Sequence, residues 1–193
     1  LVIDLATLYD YGFFDEIEGL NENVFEAYTL NEFIELGKPV TNAVRLKIQE
    51  LLLEGSSLSH DEKTIEECFY DLDKVQMMMP LHVQNYTDFY SSIEHATNVG
   101  KMFRDPANAL LPNWKHLPVG YHGRASSIVV SGINFHRPKG QMKPADAEKP
   151  IFGASKQLDF ELEMAFVLNK NTEIGESIST QEAEDAIFGM VIF

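Results

Sequence analysis

Asp159-Phe160-Glu161-Leu162-Glu163-Met164-Ala165-Phe166 alternates acidic and apolar side chains with a period of two. That period predicts a strand over residues 160–168. Phe160, Leu162 and Met164 fall on one face and Glu161 and Glu163 on the other. Residues two apart on a strand sit roughly 6.6–7 Å apart at Cα, so two carboxylates can converge on a point between them. Adjacent like charges on a half-buried strand repel unless a positive charge lies between them. A hard divalent cation meets that need, because Mg2+ and Ca2+ take oxygen ligands. The ordinary alternative is a strand with a polar solvent face, and the Glu-x-Glu pattern alone does not separate the two.

Around this segment the second half of the chain is rich in Gly, Pro and β-formers. A short strand is expected at 127–130 and a long surface loop over 137–150. Ser179-Thr180-Gln181-Glu182 has the spacing of a capping box and opens a short helix ending at Gly189. Gly189-Met190-Val191-Ile192-Phe193 then reads as a final strand. The first half differs. Residues 1–8 suggest a short strand leading into an acidic turn region. Val44, Ile48, Leu51 and Leu52 line one face of a helix over 41–54, with Thr41 as its cap and Gly55 and the following serines as its stop. A second helix is expected within 65–70. The pattern predicts an α+β fold, mainly β, with a boundary near residue 80.

The acidic bias ends at that same boundary. Of the 193 residues, 30 are acidic and 15 basic, for a net charge of −15. Residues 1–75 hold 17 of the acidic and 5 of the basic groups. Such a surface repels phosphate backbones, so no nucleic-acid partner is expected, and a solvated acidic face is the simplest reading. No apolar run nears the ~20 residues that span a bilayer, so no membrane partner is expected. The one cysteine, Cys68, forms no internal disulfide and fits a reducing, cytoplasmic setting.

Other polar residues stand among apolar ones. Asp88 sits in Asn85-Tyr86-Thr87-Asp88-Phe89-Tyr90. Burying a carboxylate costs several kcal/mol unless it is paired or ligates a metal, although a turn or capping Asp reads equally well. Seven residues on, His95 follows two serines, either of which could cap a short helix. An imidazole titrates near neutral pH and suits general-base work, and a structural histidine is the alternative. Positions 88 and 95 share a face if that helix reaches back far enough. His60, His82, His116 and His136 read as structural, and His122 is open. Arg104 suits an anionic organic acid, because a guanidinium grips a carboxylate with two parallel hydrogen bonds. Tyr90 and Tyr121 suit the wall of a small-molecule pocket. A surface ion pair for the arginine, and plain packing for the tyrosines, are the alternatives. No Gly-x-Ser-x-Gly elbow, Walker loop, Gly-x-Gly-x-x-Gly or zinc-type cysteine cluster occurs.

The same segments resemble the fumarylacetoacetase family. The resemblance is carried by Tyr86-Thr87-Asp88-Phe89-Tyr90-Ser91-Ser92, His95-Ala96-Thr97-Asn98-Val99-Gly100 and Met102-Phe103-Arg104. It continues through Leu117-Pro118-Val119-Gly120-Tyr121-His122-Gly123-Arg124-Ala125-Ser126-Ser127, Gly140-Gln141-Met142-Lys143-Pro144, the Glu161/Glu163 strand and Ile187-Phe188-Gly189-Met190-Val191. It is strong from about residue 77 onward and weak before it. It implies a metal, Ca2+ or Mg2+, held by Asp88, Glu161, Glu163 and one further Asp. It implies His95 as general base and Tyr90, Arg104 and Tyr121 as substrate-binding groups. The implied reaction is hydrolysis of the small-molecule diketo acid 4-fumarylacetoacetate to fumarate and acetoacetate, the last step of tyrosine breakdown, in a cytosolic homodimer. The implied architecture is an SH3-like N-terminal domain over 1–80 and the first part of a β-sandwich-roll catalytic domain over 81–193.

Leu1 in place of Met, and a last apolar run without a turn, suggest a piece of a longer protein. On the family's pattern the fourth metal ligand and further catalytic groups follow Phe193, so the isolated piece is expected to be inactive. Two other readings stay open. One is a relative with the same carboxylates but a different reaction, such as an acylpyruvase, decarboxylase or hydratase. The other is a non-catalytic metal- or ligand-binding fragment.

Overall fold

The computed structural model describes residues 1–193, which form two units. The larger comprises residues 1–81 and 132–193, and the smaller residues 82–131.

In the larger unit, strand β1 (Val2–Ile3) leads into helix α1 (Leu5–Asp10). Asp4 caps α1, its carboxylate accepting the Thr7 N–H at 3.1 Å. Helices α2 (Asn31–Glu35) and α3 (Gly37–Leu51) follow, then α4 (Glu62–Cys68), capped by Asp61, and β2 (Phe69–Tyr70). Strand β2 pairs antiparallel with β1. Leu8, Phe14, Leu20, Val24, Phe33, Val40, Val44 and Cys68 form the core, and Phe14 and Val44 are each only 1% exposed. Burying a side chain of that size contributes about 1.5–3 kcal/mol.

The helix expected at 41–54 begins four residues earlier, and Thr41 is a buried interior residue rather than a cap. Gly37, at φ +82°, turns the chain from α2 into α3. Pro39 is tolerated because first-turn N–H groups have no intrahelical acceptor. The helix also stops three residues earlier than expected, at Leu51, whose carbonyl takes the Ser56 hydroxyl at 2.7 Å, and Gly55, at φ +80°, lies in the turn that follows.

The second-half strands of this unit are antiparallel pairs. Strand β5 (Lys139–Met142) pairs with β6 (Ile151–Ala154), so the expected loop over 137–150 is a hairpin. Strand β7 (Met164–Leu168) pairs with β8 (Ile187–Ile192), with α6 (Thr180–Asp185) between them. The predicted Ser179–Glu182 capping box is present, with both reciprocal bonds made. Gly189 lies inside β8 opposite Val167 rather than ending the helix. The register skips Phe188, because Leu168 pairs with Ile187 and Val167 with Gly189. That bulge turns Phe188 toward the helical core, where its ring meets Phe33 edge to face at 6.1 Å. Lys38 adds a hydrogen bond to the Glu184 carbonyl at 3.2 Å.

In the smaller unit, β3 (Thr87–Phe89) pairs antiparallel with β4 (Gly120–His122), and α5 (Ile93–Phe103) lies between them in sequence. The strand expected at 127–130 is absent. Residues Ala125–Ser127 form a short 3-10 turn, whose carbonyl at Ala125 takes the Ile128 N–H. The whole is α+β with two-stranded sheets. Helices hold more residues than strands, against the mainly-β expectation, because apolar residues in the first 70 positions recur at helical spacing.

Candidate functional site

Five of the seven candidate residues lie in the smaller unit, on β3, β4 and α5 or directly beside them. Asp88 is the middle residue of β3, directly across from Tyr121 on β4. The strands approach closely because Gly120 lies opposite Phe89. A Cβ at Gly120 would come within 2.8 Å of the Asp88 carbonyl oxygen. Outside the ladder, Tyr90 continues the pairing by donating its N–H to the Val119 carbonyl at 2.8 Å.

His95 lies in the first turn of α5. Ser92 caps that helix, its hydroxyl accepting the His95 N–H at 3.2 Å. Asp88 is on a strand and the helix does not reach back to it, so the two share no helical face and a strand-to-helix turn separates them. The turn brings the Tyr90 ring against the His95 imidazole, with centroids 5.4 Å apart and planes at 81°. Arg104 closes α5 and donates from Nη1 to the Ala109 carbonyl at 2.9 Å. Beneath it the segment packs tightly: a Cβ at Gly100 would meet the Ala109 carbonyl oxygen at 2.1 Å.

Arg124 was not among the sequence candidates. Its Nη2 lies 2.6 Å from Asp88 Oδ2, and its guanidinium sits 5.3 Å from the centre of the Tyr121 ring. Gly123, at φ +96°, makes the turn that returns Arg124 to β3, and its N–H bonds the Tyr86 carbonyl at 2.9 Å. The signal was a glycine followed by arginine just after an aromatic strand, too common a pattern to single out. His122, left open, has its Nδ1 3.0 Å from the Thr87 hydroxyl, which places it in the strand pairing.

Glu161 and Glu163 lie in the larger unit. The strand expected from residue 160 starts at Met164. Glu163 extends its ladder by one rung, exchanging both backbone hydrogen bonds with Phe193 at 3.0 and 2.9 Å. Glu161 precedes that last rung. Phe160 and Leu162, which precede the strand, are 84% and 77% exposed.

All three candidate ligands are carboxylates, whose hard oxygens suit a divalent cation. Within neither unit do three His, Cys, Asp or Glu side chains come together to hold one. Asp88 is instead engaged by Arg124. The donor chemistry suits a divalent cation, but neither unit by itself gathers a metal-binding group.

Two family models cover nearly the whole chain. One, described as "Fumarylacetoacetase N-terminal", matches residues 1–80. The other, "Fumarylacetoacetate (FAA) hydrolase C-terminal", matches residues 84–193. The chain belongs to the fumarylacetoacetate hydrolase family. Among its relatives in that family, human fumarylacetoacetase is 46% identical over 192 residues, 99% of this chain and 46% of that protein. The Caenorhabditis elegans fumarylacetoacetase is 50% identical over 174 residues, 89% of this chain and 42% of that protein. The Arabidopsis thaliana fumarylacetoacetase is 42% identical over 193 residues, 100% of this chain and 46% of that protein. The chain thus spans about half the length of the family members it matches. No helix in it is long and apolar enough to cross a membrane.

Proposed function

We propose that this chain is part of an enzyme that hydrolyses the carbon–carbon bond of 4-fumarylacetoacetate to fumarate and acetoacetate. The observation that carries the reading is 42–50% identity to fumarylacetoacetases along almost the whole chain. The arrangement on β3, β4 and α5 is consistent with it, since an imidazole, two tyrosines and an arginine lie on one small unit.

In this reading His95 is the general base. It takes a proton from water, and the resulting hydroxide attacks the substrate carbonyl next to the alkene. The carbon–carbon bond breaks, its electron pair leaves with the acetoacetate part as an enolate, and protonation completes that product. The attacked carbonyl becomes a carboxylate of fumarate. Tyr90 holds the imidazole ring by its edge-to-face contact, which limits rotation of the base. Arg104 and Tyr121 take the substrate's carboxylate and carbonyl oxygens, a task suited to a planar guanidinium and a phenol.

Asp88, Glu161 and Glu163 are the candidate ligands for a divalent cation, Ca2+ or Mg2+, in the assembled enzyme. Such an ion, when bound, polarises a carbonyl as a Lewis acid. We further infer a division into residues 1–80, an SH3-like domain, and 81–193, the start of a β-sandwich-roll. The two family matches, which meet between residues 80 and 84, support that division. The working form is proposed to be a cytoplasmic homodimer acting on a small diketo acid, with neither nucleic acid nor membrane as a partner.

Hydrolysis of 4-fumarylacetoacetate by the full-length protein in 18O-labelled water tests the reaction. One labelled oxygen is expected in fumarate and none in acetoacetate. Label in acetoacetate, or cleavage of acylpyruvates in preference to 4-fumarylacetoacetate, would reject this reading.

A further inference from the structure

A tyrosine that binds substrate has to hold its phenol in one orientation, yet Tyr121 is 62% exposed and has little packing to fix it. Arg124 supplies a hold. Its guanidinium lies 5.3 Å from the centre of the Tyr121 ring, within the reach of a cation–π contact. The chain path explains how the two meet. Strand β4 ends at His122, and the Gly123 N–H bonds the Tyr86 carbonyl at 2.9 Å, one step beyond the ladder. Gly123 then takes φ +96°, a left-handed value that folds Arg124 back over the strand it has just left. The arginine is itself tied down. Its Nη2 lies 2.6 Å from Oδ2 of Asp88, a charge-assisted hydrogen bond. Asp88 is the firmer partner, because its side chain is 18% exposed against 64% for Arg124, and it occupies the middle of the β3 ladder. Asp88 and Tyr121 are direct cross-strand partners, so their side chains leave the sheet on the same face. One carboxylate thus anchors a guanidinium over the ring that stands opposite it.

We propose that Arg124, anchored by Asp88, is a positioning residue that holds the Tyr121 phenol ready for the substrate's oxygens. The proposal rests on the reading of Tyr121 as a substrate-binding group. Arg124 touches neither the substrate nor the reacting atoms in this account, and every group it needs lies in the smaller unit. The guanidinium acts on the ring face, whereas the substrate meets the hydroxyl at the end of the ring, so the two contacts do not compete. A phenol already turned to its binding orientation gives up less conformational freedom when substrate arrives. Loss of the arginine therefore weakens substrate binding and leaves the chemical step alone, which raises KM at constant kcat. The contact between His95 and Tyr90 is separate from this one and stays in place.

The size of the effect follows from exposure. A cation–π contact at an exposed site shifts an equilibrium by roughly two- to fivefold, which sets the expected rise in KM. Steady-state kinetics of the full-length protein on 4-fumarylacetoacetate read this directly. Arg124→Gln and Arg124→Met keep an unbranched stem and lose the charge. Both should raise KM by that factor with kcat unchanged, and either serves if the other does not fold. Arg124→Lys keeps a cation and should restore most of the original KM. Tyr121→Phe keeps the ring and loses the hydroxyl, and it should raise KM by itself. Adding Arg124→Gln to Tyr121→Phe should then raise KM no further, because the orientation of a ring without its hydroxyl no longer matters. If the two changes add, or if Arg124→Gln lowers kcat with KM unchanged, Arg124 does not work through Tyr121 and the proposal is overturned. A merely structural arginine would lower the melting temperature without this split between KM and kcat, and that result overturns it too. Unchanged KM in the Arg124 variants, with Tyr121→Phe still harmful, overturns positioning by Arg124 and leaves Tyr121 a substrate-binding residue. Unchanged KM in Tyr121→Phe overturns the substrate-binding reading of Tyr121 and the proposal with it.

Discussion

Tyr90 and His95 meet edge to face, with ring centroids 5.4 Å apart and planes at 81°. Such aromatic contacts are worth about 0.5–1.5 kcal/mol beyond the area they bury. The ring of Tyr90 and its hydroxyl therefore do separable work. Tyr90→Phe keeps the ring and should mainly raise KM in the full-length enzyme. Tyr90→Leu loses the ring as well and should also lower kcat. Steady-state kinetics of both variants check this, and equal kcat losses would show that the ring does not hold the base.

Glycine replacements should sort by the space beside them. Gly120→Ala would push a Cβ to 2.8 Å from the Asp88 carbonyl, and Gly100→Ala to 2.1 Å from the Ala109 carbonyl. Both partners are backbone, so each variant should lose about 1–3 kcal/mol or more of stability. Gly140 has nothing within 4 Å of its Cβ position, and Gly140→Ala should be close to neutral. Denaturant unfolding of the three variants measures the difference.

Phe14 is 1% exposed at the centre of the helical core. Phe14→Ala should cost about 3–5 kcal/mol, a large share of an ordinary domain's stability. Denaturant midpoints check it.

Stability should also fall in strong alkali through Tyr11. Its hydroxyl donates to a Glu67 carboxylate oxygen, and that bond raises its pKa from 10.0 to about 12. A raised folded pKa contributes stability that is complete below the unfolded value and is lost as pH climbs from about 10 to about 12. Hydrogen bonds from Thr64 lower the pKa of the Asp61 cap, so its contribution is present above the usual carboxylate range and lost in acid. Melting temperatures of the original protein and Tyr11→Phe should differ at neutral pH and converge between pH 10 and 12.

Short-range chemistry was legible in the sequence and long-range pairing was not. The Ser179–Glu182 capping box depends on neighbours in the chain and appears as read, and the helix stop before Gly55 is misplaced by only three residues. The Ser92 cap of α5 was equally visible. Strand ends depend on what lies across the ladder. The β7 ladder takes in Glu163 through its rung with Phe193, so alternation alone set the start of that strand too early. The loop over 137–150 hid β5 because Lys139, Gly140 and Gln141 have little strand propensity, and only pairing with β6 makes them extended. Asp88, Tyr90, His95 and Tyr121 stood out in the sequence as candidates, and Arg124 did not. Its meaning comes from a contact 36 residues away in sequence.

The central claim is that His95 is the base of a carbon–carbon hydrolase. Replacing it by alanine in the full-length protein and measuring kcat for 4-fumarylacetoacetate tests that claim most directly. A fall of roughly 10²–10⁴-fold, with an unchanged melting temperature, is the predicted result. Turnover within a few-fold of the original enzyme would contradict the account.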